Sequence, residues 1–243
     1  VSLKLNNNLL LKNIIFLLYV FIVLTLYGCE GCVKSKSKQT RVKDNSAIEK
    51  NLNSNSGSFP DLIKKLEPSI FLILTYDENG DVIKQGTGFF ITESGKAVSN
   101  YHVFDGGESW TIKLYNNSEY DVDKIITYDV KYDFIIFKID SKNKFPALEF
   151  FDSEIQTGED IFVIGNPSGL ERTVTKGIVS AVRDEFTRKD IIQIDAAISP
   201  GSSGSPVFNK NGKVIGIATK KILEKCENCN FAVNINILKK VKY

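Results

Sequence analysis

The chain has 243 residues, 42% of them hydrophobic, with 31 basic against 29 acidic residues for a formal charge of +2. That length suits one or two domains with a sizeable core. The near-balanced charge supplies no field to attract DNA or RNA, so nucleic acid is excluded as the expected partner. Sixteen Phe and nine Tyr lean the composition towards strands.

Lys4 and Lys12 precede an uncharged apolar run from Ile14 to Tyr27. Its 14 residues fall short of the roughly 20 that span a bilayer and match the core of a signal peptide. The run ends in Leu26-Tyr27-Gly28-Cys29, which resembles a bacterial lipobox with a bulkier residue than usual at Tyr27. Residues 1–28 are therefore expected to be a lipoprotein-type signal peptide and Cys29 the lipidated residue; an uncleaved anchor is the alternative. Either places the remainder outside the cytoplasm, held at a membrane. Residues 29–58 lack apolar periodicity, and Lys34 to Lys50 holds six basic and two acidic residues. This stretch reads as a disordered basic tether.

Folding is expected from Phe59. A short helix is predicted over Asp61 to Leu66, before Pro68. Strand-like runs follow at Ile70–Tyr76, Gly88–Thr92, Thr111–Tyr115, Phe134–Ile139 and Ile161–Ile164. They continue at Val174–Val182, Ile191–Ile194, Pro206–Phe208, Val214–Ala218 and Phe231–Val233. Turn dipeptides such as Asn79-Gly80, Ser94-Gly95 and Asn211-Gly212 separate them. Many short strands without a long amphipathic helix predict an all-β barrel or sandwich, closed by a terminal helix over Ile235–Tyr243.

His102 is the only histidine. It lies just past a strand, in Ala97-Val-Ser-Asn-Tyr-His-Val-Phe104. A second segment, Gly201-Ser-Ser-Gly-Ser-Pro206, has the chemistry of a nucleophile turn. A reactive serine needs a tight turn that presents Oγ and aims backbone N–H groups at a developing oxyanion. Glycines at 201 and 204 permit that turn. Ser203, between Gly201 and Gly204, is preferred over Ser202 as the nucleophile. Asp129 and Asp133 are candidates for a third residue. Asp133 is preferred because it directly precedes the apolar run Phe134-Ile-Ile-Phe137, which can bury it. The order His, Asp, Ser is that of chymotrypsin-like enzymes.

Six segments occur in order: Gly86-Thr-Gly-Phe-Phe90, Ser99-Asn-Tyr-His102, Tyr132-Asp-Phe-Ile-Ile-Phe137, Gly165-Asn-Pro-Ser-Gly-Leu170, Thr173-Val-Thr-Lys-Gly-Ile-Val-Ser-Ala181 and the serine loop. Together, over residues 59–243, they resemble the trypsin-like protease domain of the HtrA/Deg (Do-like) family. The usual Gly-Asn-Ser-Gly-Gly loop reads Gly-Ser-Ser-Gly-Ser here, and no PDZ pattern follows. The Ser-Gly-Ser-Pro-Val stretch also resembles the glutamyl endopeptidase branch. The resemblance implies two six-stranded antiparallel β-barrels, about residues 59–145 and 146–243, with the active site in the cleft between them. It implies an extracytoplasmic serine endopeptidase acting on unfolded or exposed polypeptide, in a protein quality-control role, with no cofactor and no metal. His102, Asp133 and Ser203 would be catalytic, and Gly201, Ser202 and Ser203 would line the oxyanion hole. A catalytically weak or inactive surface-binding module on the same fold is the alternative.

The same resemblance puts the floor of the primary pocket six residues before the nucleophile, at Ala197, beside Ile198, with Ala218 on the facing strand. These apolar residues predict uncharged side chains before the scissile bond. Cys226 and Cys229 form one Cys-x-x-Cys, two of the four ligands a structural zinc needs; outside the cytoplasm a local disulfide is the preferred reading. Oligomerisation is left open.

Overall fold

The computed structural model describes residues 57–166, 172–183, 190–219 and 230–241. The signal-peptide expectation, all of the expected tether but Gly57 and Ser58, the four cysteines and residues 167–170 of the fourth motif lie outside these residues.

Helix α1 (Phe59–Leu66) starts two residues before the predicted position because of its cap. The Asp61 N–H donates to Ser58 Oγ, while Asp61 Oδ2 accepts from Ser58 N–H and Oγ. This reciprocal capping satisfies donors that would otherwise be orphaned at the helix start. Ile63 and Leu66 are buried. A 3-10 turn, Glu67–Ser69, leads into the strands.

Strands β1 (Ile70–Tyr76), β2 (Val82–Phe90), β3 (Lys96–Ser99), β4 (Ser109–Lys113), β5 (Glu119–Asp121), β6 (Lys124–Asp129) and β7 (Phe134–Lys138) form one antiparallel sheet. Their order is β5-β4-β1-β2-β3-β7-β6. The two ends, β5 and β6, are consecutive in the chain and separated only by Val122 and Asp123. Val122 N–H donates to Trp110 O on β4 and Asp123 N–H to Lys138 O on β7. A single bent strand thus runs from one edge to the other. The expected six strands become seven because this strand is broken at its bend.

Strands β8 (Asp160–Gly165), β9 (Thr173–Arg183), β10 (Ile191–Ile194), β11 (Pro206–Asn209), β12 (Val214–Thr219) and β13 (Asn230–Asn234) close into a six-stranded barrel. The all-β, double-barrel expectation holds. The terminal helix is a 3-10 helix, Ile235–Lys240, capped by the Asn234 side chain, which accepts from the Asn236 N–H.

Three apolar clusters organise the described residues. One fills the first sheet and contains Phe71, Phe90, Ile112, Ile135 and Phe137. One fills the second barrel and contains Ile161, Val163, Ile192, Val207 and Ile215. The third is the seam, where Phe89, Val98, Phe134 and Ile136 meet Phe162, Ile164, Phe208 and Ile217. Strands at the seam are buried on both faces. In β7, Ile135 and Phe137 point inward while Phe134 and Ile136 enter the seam, as the period of two requires. A four-residue helix, α2 (Tyr101–Phe104), follows β3; its Val103 and Phe104 anchor in the first cluster. Phe104 lies 4.9 Å, ring to ring, from Phe137.

Phe137 is fully buried and supports α2 directly. Phe137→Ala is expected to cost about 3–5 kcal/mol, the usual range for deleting a core aromatic, measured by urea denaturation. A loss below about 1 kcal/mol would contradict this packing.

Candidate active site

Asn100 precedes α2 at its N-cap position, without a capping bond from its side chain, and His102 follows on the first turn. The carbonyls of that turn are held from outside. Thr75 Oγ1 donates to Val103 O at 2.7 Å. Lys84 Nζ donates to the carbonyls of His102 and Asp105. A cation at the end of a helical turn satisfies carbonyls that have no partner within it.

Asp133 lies between β6 and β7, 2% exposed, with φ +50. The left-handed region costs a non-glycine residue about 1 kcal/mol or more, so neighbouring contacts must hold it. Asn100 Nδ2 donates to the Asp133 carbonyl at 2.8 Å. The Asp133 carboxylate accepts three hydrogen bonds: from His102 N–H to Oδ1 at 3.0 Å, from His102 Nδ1 to Oδ2 at 2.8 Å, and from Thr219 Oγ1 to Oδ2 at 2.8 Å. A carboxylate only accepts, so Nδ1 carries the imidazole proton and Nε2 is left as the acceptor. The other candidate, Asp129, is engaged locally: its Oδ1 accepts from the N–H groups of Lys131 and Tyr132 and shapes the turn leading to Asp133.

The serine loop enters from the second barrel. Gly201 (φ +92) and Gly204 (φ +87) occupy left-handed backbone. A Cβ on Gly204 would meet Thr87 O at 2.1 Å and Ser99 Oγ at 2.3 Å, with Asn100 N at 3.2 Å. The loop therefore lies against the residues that precede His102. Thr87 N–H donates to Ser203 O at 2.8 Å, and Gly204 N–H to Ala218 O at 2.9 Å. Ser203 is buried to 8% exposure. No hydrogen bond joins its hydroxyl to His102 among the described residues.

Three backbone donors were expected around an oxyanion. Ser202 N–H is committed to Ser199 O at 2.9 Å, which removes Ser202 from that set. Among the described residues the N–H groups of Gly201 and Ser203 have no acceptor in the protein. The expected pocket residues divide. Ile198 and Ala218 are buried in the cluster of the second barrel, whereas Ala197 is exposed and its carbonyl accepts from Thr175 Oγ1 at 3.1 Å. Lys220, Lys221 and Lys225, which follow β12, lie outside the described residues. Asn100, Lys84, Thr87 and Thr219 are not marked for these roles by residue type. Asn100 and Thr87 stand inside motifs, but Thr219 and Lys84 carry no local signal.

The trypsin-like peptidase domain family matches residues 86–217. Among curated proteins, a "probable periplasmic serine endoprotease DegP-like" of Rhizobium meliloti (strain 1021) is 41% identical over 139 residues, 56% of this chain and 27% of that protein. The protein of the same description in Bartonella henselae is 44% identical over 138 residues, 55% of this chain and 27% of its own. The chain thus spans about a quarter of the length of these relatives. Among solved structures, the serine endoprotease from Yersinia pestis is 26% identical with a TM-score of 0.67, covering 76% of this chain and 65% of its own. The matched segment runs from Gly86 through His102, Asp133 and Ser203 to Ile217, over more than half of the chain; the protein belongs to the trypsin-like peptidase domain family.

Proposed function

We propose that this chain is an extracytoplasmic serine endopeptidase that cleaves exposed or unfolded polypeptide through an acyl-enzyme on Ser203. The observation that carries the reading is the His102 imidazole, bonded through Nδ1 to the buried Asp133, set beside a loop whose Gly201 and Ser203 N–H groups have no acceptor among the described residues.

In the first half-reaction Ser203 Oγ attacks the scissile carbonyl carbon and its proton passes to His102 Nε2. The carbonyl oxygen becomes an anion, received by the N–H groups of Gly201 and Ser203. Asp133 remains a carboxylate and stabilises the imidazolium. Collapse re-forms the carbonyl and breaks the C–N bond, and His102 gives its proton to the departing amine. Water then attacks the ester with His102 again as base. The C–Oγ bond breaks, Ser203 regains a proton and the carboxylic product leaves. Contact between serine and histidine commonly tightens only with substrate bound.

The names of the DegP-like relatives place those proteins in the periplasm. With residues 1–28 read as a leader, this supports action outside the cytoplasm, anchored by lipid on Cys29. Polypeptide is the substrate class and quality control of damaged protein the role, with the uncharged residues Ala197, Ile198 and Ala218 read from the sequence as making selection loose.

Ser203→Ala and His102→Ala should each reduce cleavage of labelled casein by about 10⁴-fold or more, with thermal unfolding unchanged. Asp133→Asn should be severe because the tautomer is lost. Full turnover by Ser203→Ala would defeat the reading. For the anchor, cells given labelled palmitate should label the wild-type chain but not Cys29→Ala, and label retained by the variant would refute lipidation at that residue. For specificity, a peptide library should show Val, Ala, Ile and Leu favoured before the cleaved bond, with one methylene changing rates by about 10-fold or somewhat more. A dominant preference for Glu or Asp would instead implicate Lys220, Lys221 or Lys225.

A further inference from the structure

We propose that the Thr87 hydroxyl is a positioning group for the oxyanion-binding turn, an inference that rests on the peptidase reading above. Thr87 belongs to β2 of the first sheet and is fully buried. Its hydroxyl lies in a relay of two hydrogen bonds into the second barrel. The Asn166 N–H donates to Thr87 Oγ1 at 3.0 Å, and Thr87 Oγ1 donates to Gly201 O at 2.9 Å. Asn166 Nδ2 approaches the same oxygen at 3.4 Å. A hydroxyl has one proton to give. With Asn166 donating to it, that proton goes to Gly201.

Gly201 O and Ser202 N share one peptide plane. Thr87 fixes the plane at its oxygen, and Ser199 O fixes it at its N–H, 2.9 Å away. This plane stands between the two that carry the oxyanion donors. The Gly201 N–H belongs to the preceding plane and the Ser203 N–H to the following one. Gly201 is in left-handed backbone and, as glycine, gives little intrinsic resistance to rotation. Without an external anchor the middle plane can turn and the two N–H groups no longer converge. Among the described residues, only the Thr87 hydroxyl supplies the anchor on the oxygen side. The separate bond from Thr87 N–H to Ser203 O at 2.8 Å is backbone and survives any side-chain replacement. Removing the hydroxyl with its shape kept would leave Asn166 N–H and Gly201 O buried without this bond, and a peptide flip is the simplest relief.

The experiment compares the unaltered chain, Thr87→Val, Thr87→Ser and Ser203→Ala. Three readouts are used: kcat and KM on fluorescein-labelled casein, thermal unfolding, and affinity for a peptide boronate bearing a valine side chain. Ser203 Oγ adds to boron while its proton passes to His102, and a boronate oxygen then occupies the oxyanion position. Thr87→Val is expected to lower kcat about 10–100-fold, less than the 10²–10³ of deleting a donor outright, with KM within about threefold. Boronate affinity should fall in parallel with kcat, and Thr87→Ser should recover most of both. A purely structural role would change unfolding without separating kcat from KM or following the tetrahedral adduct. Should Thr87→Val fail to fold, Thr87→Cys replaces it. Its weak S–H donor should give lower kcat and boronate affinity than Thr87→Ser, and equality of the two would overturn the proposal. Ser203-dependent cleavage with Thr87→Val within twofold of the unaltered kcat overturns the role of Thr87 alone. Absence of Ser203-dependent cleavage in the unaltered chain overturns the peptidase reading and this inference with it.

Discussion

A carboxylate 2% exposed is tolerable only when its oxygens are fully hydrogen-bonded, since breaking such a buried arrangement costs about 3–5 kcal/mol. Asp133 meets that constraint with partners from both halves of the molecule. His102 supplies two donors from α2, on the side of the first sheet, and Thr219 one from β12 of the second barrel. The carboxylate therefore reaches its native environment only after the barrels have docked. Its left-handed backbone, held through Asn100, is a local cost offset by the same docking.

The seam has the same logic elsewhere. Its apolar layer, in which Phe89 and Ile136 face Phe208 and Ile217, brings the two units together without direction. Polar links near its rim then set the register: Thr87 to the serine loop, Thr219 to Asp133, and Tyr132 Oη to Asp190 at 3.1 Å. Burial supplies most of the attraction, and hydrogen bonds specify which atoms face one another. This is how a site assembled from two barrels can be held to the tolerance that catalysis needs.

The fold was legible where burial dominates. Strands β7 and β8 are covered on both faces and appear in the sequence as unbroken apolar runs, Phe134-Ile-Ile-Phe137 and Ile161-Phe-Val-Ile164. Strands β5 and β6 were not legible. Glu119, Asp121, Lys124 and Tyr128 are exposed, and their extended form is imposed by pairing with β4 and β7. At the site, residue type and local sequence context mark His102, Asp133 and Ser203. Separating Asp133 from Asp129 by structure required knowing which carboxylate faces the imidazole. Thr219 lies 86 residues from Asp133 and Thr87 lies 114 from Gly201; no local pattern encodes such pairings. A loop sequence also does not reveal which N–H groups its own turn consumes, as the Ser202 N–H bonded to Ser199 O illustrates.

The 2.8 Å bond between His102 Nδ1 and Asp133 involves the only imidazole in the chain. Every histidine ring resonance in a magnetic-resonance spectrum of the protein thus arises from this one ring, without isotope-selective labelling or assignment by mutation. A downfield ring N–H signal reports whether the ring is bonded to Asp133, whose carboxylate also accepts from Thr219 of the second barrel. The protein carries its own spectroscopic probe at the place where assembly and chemistry meet, and a histidine placed anywhere else would compromise it.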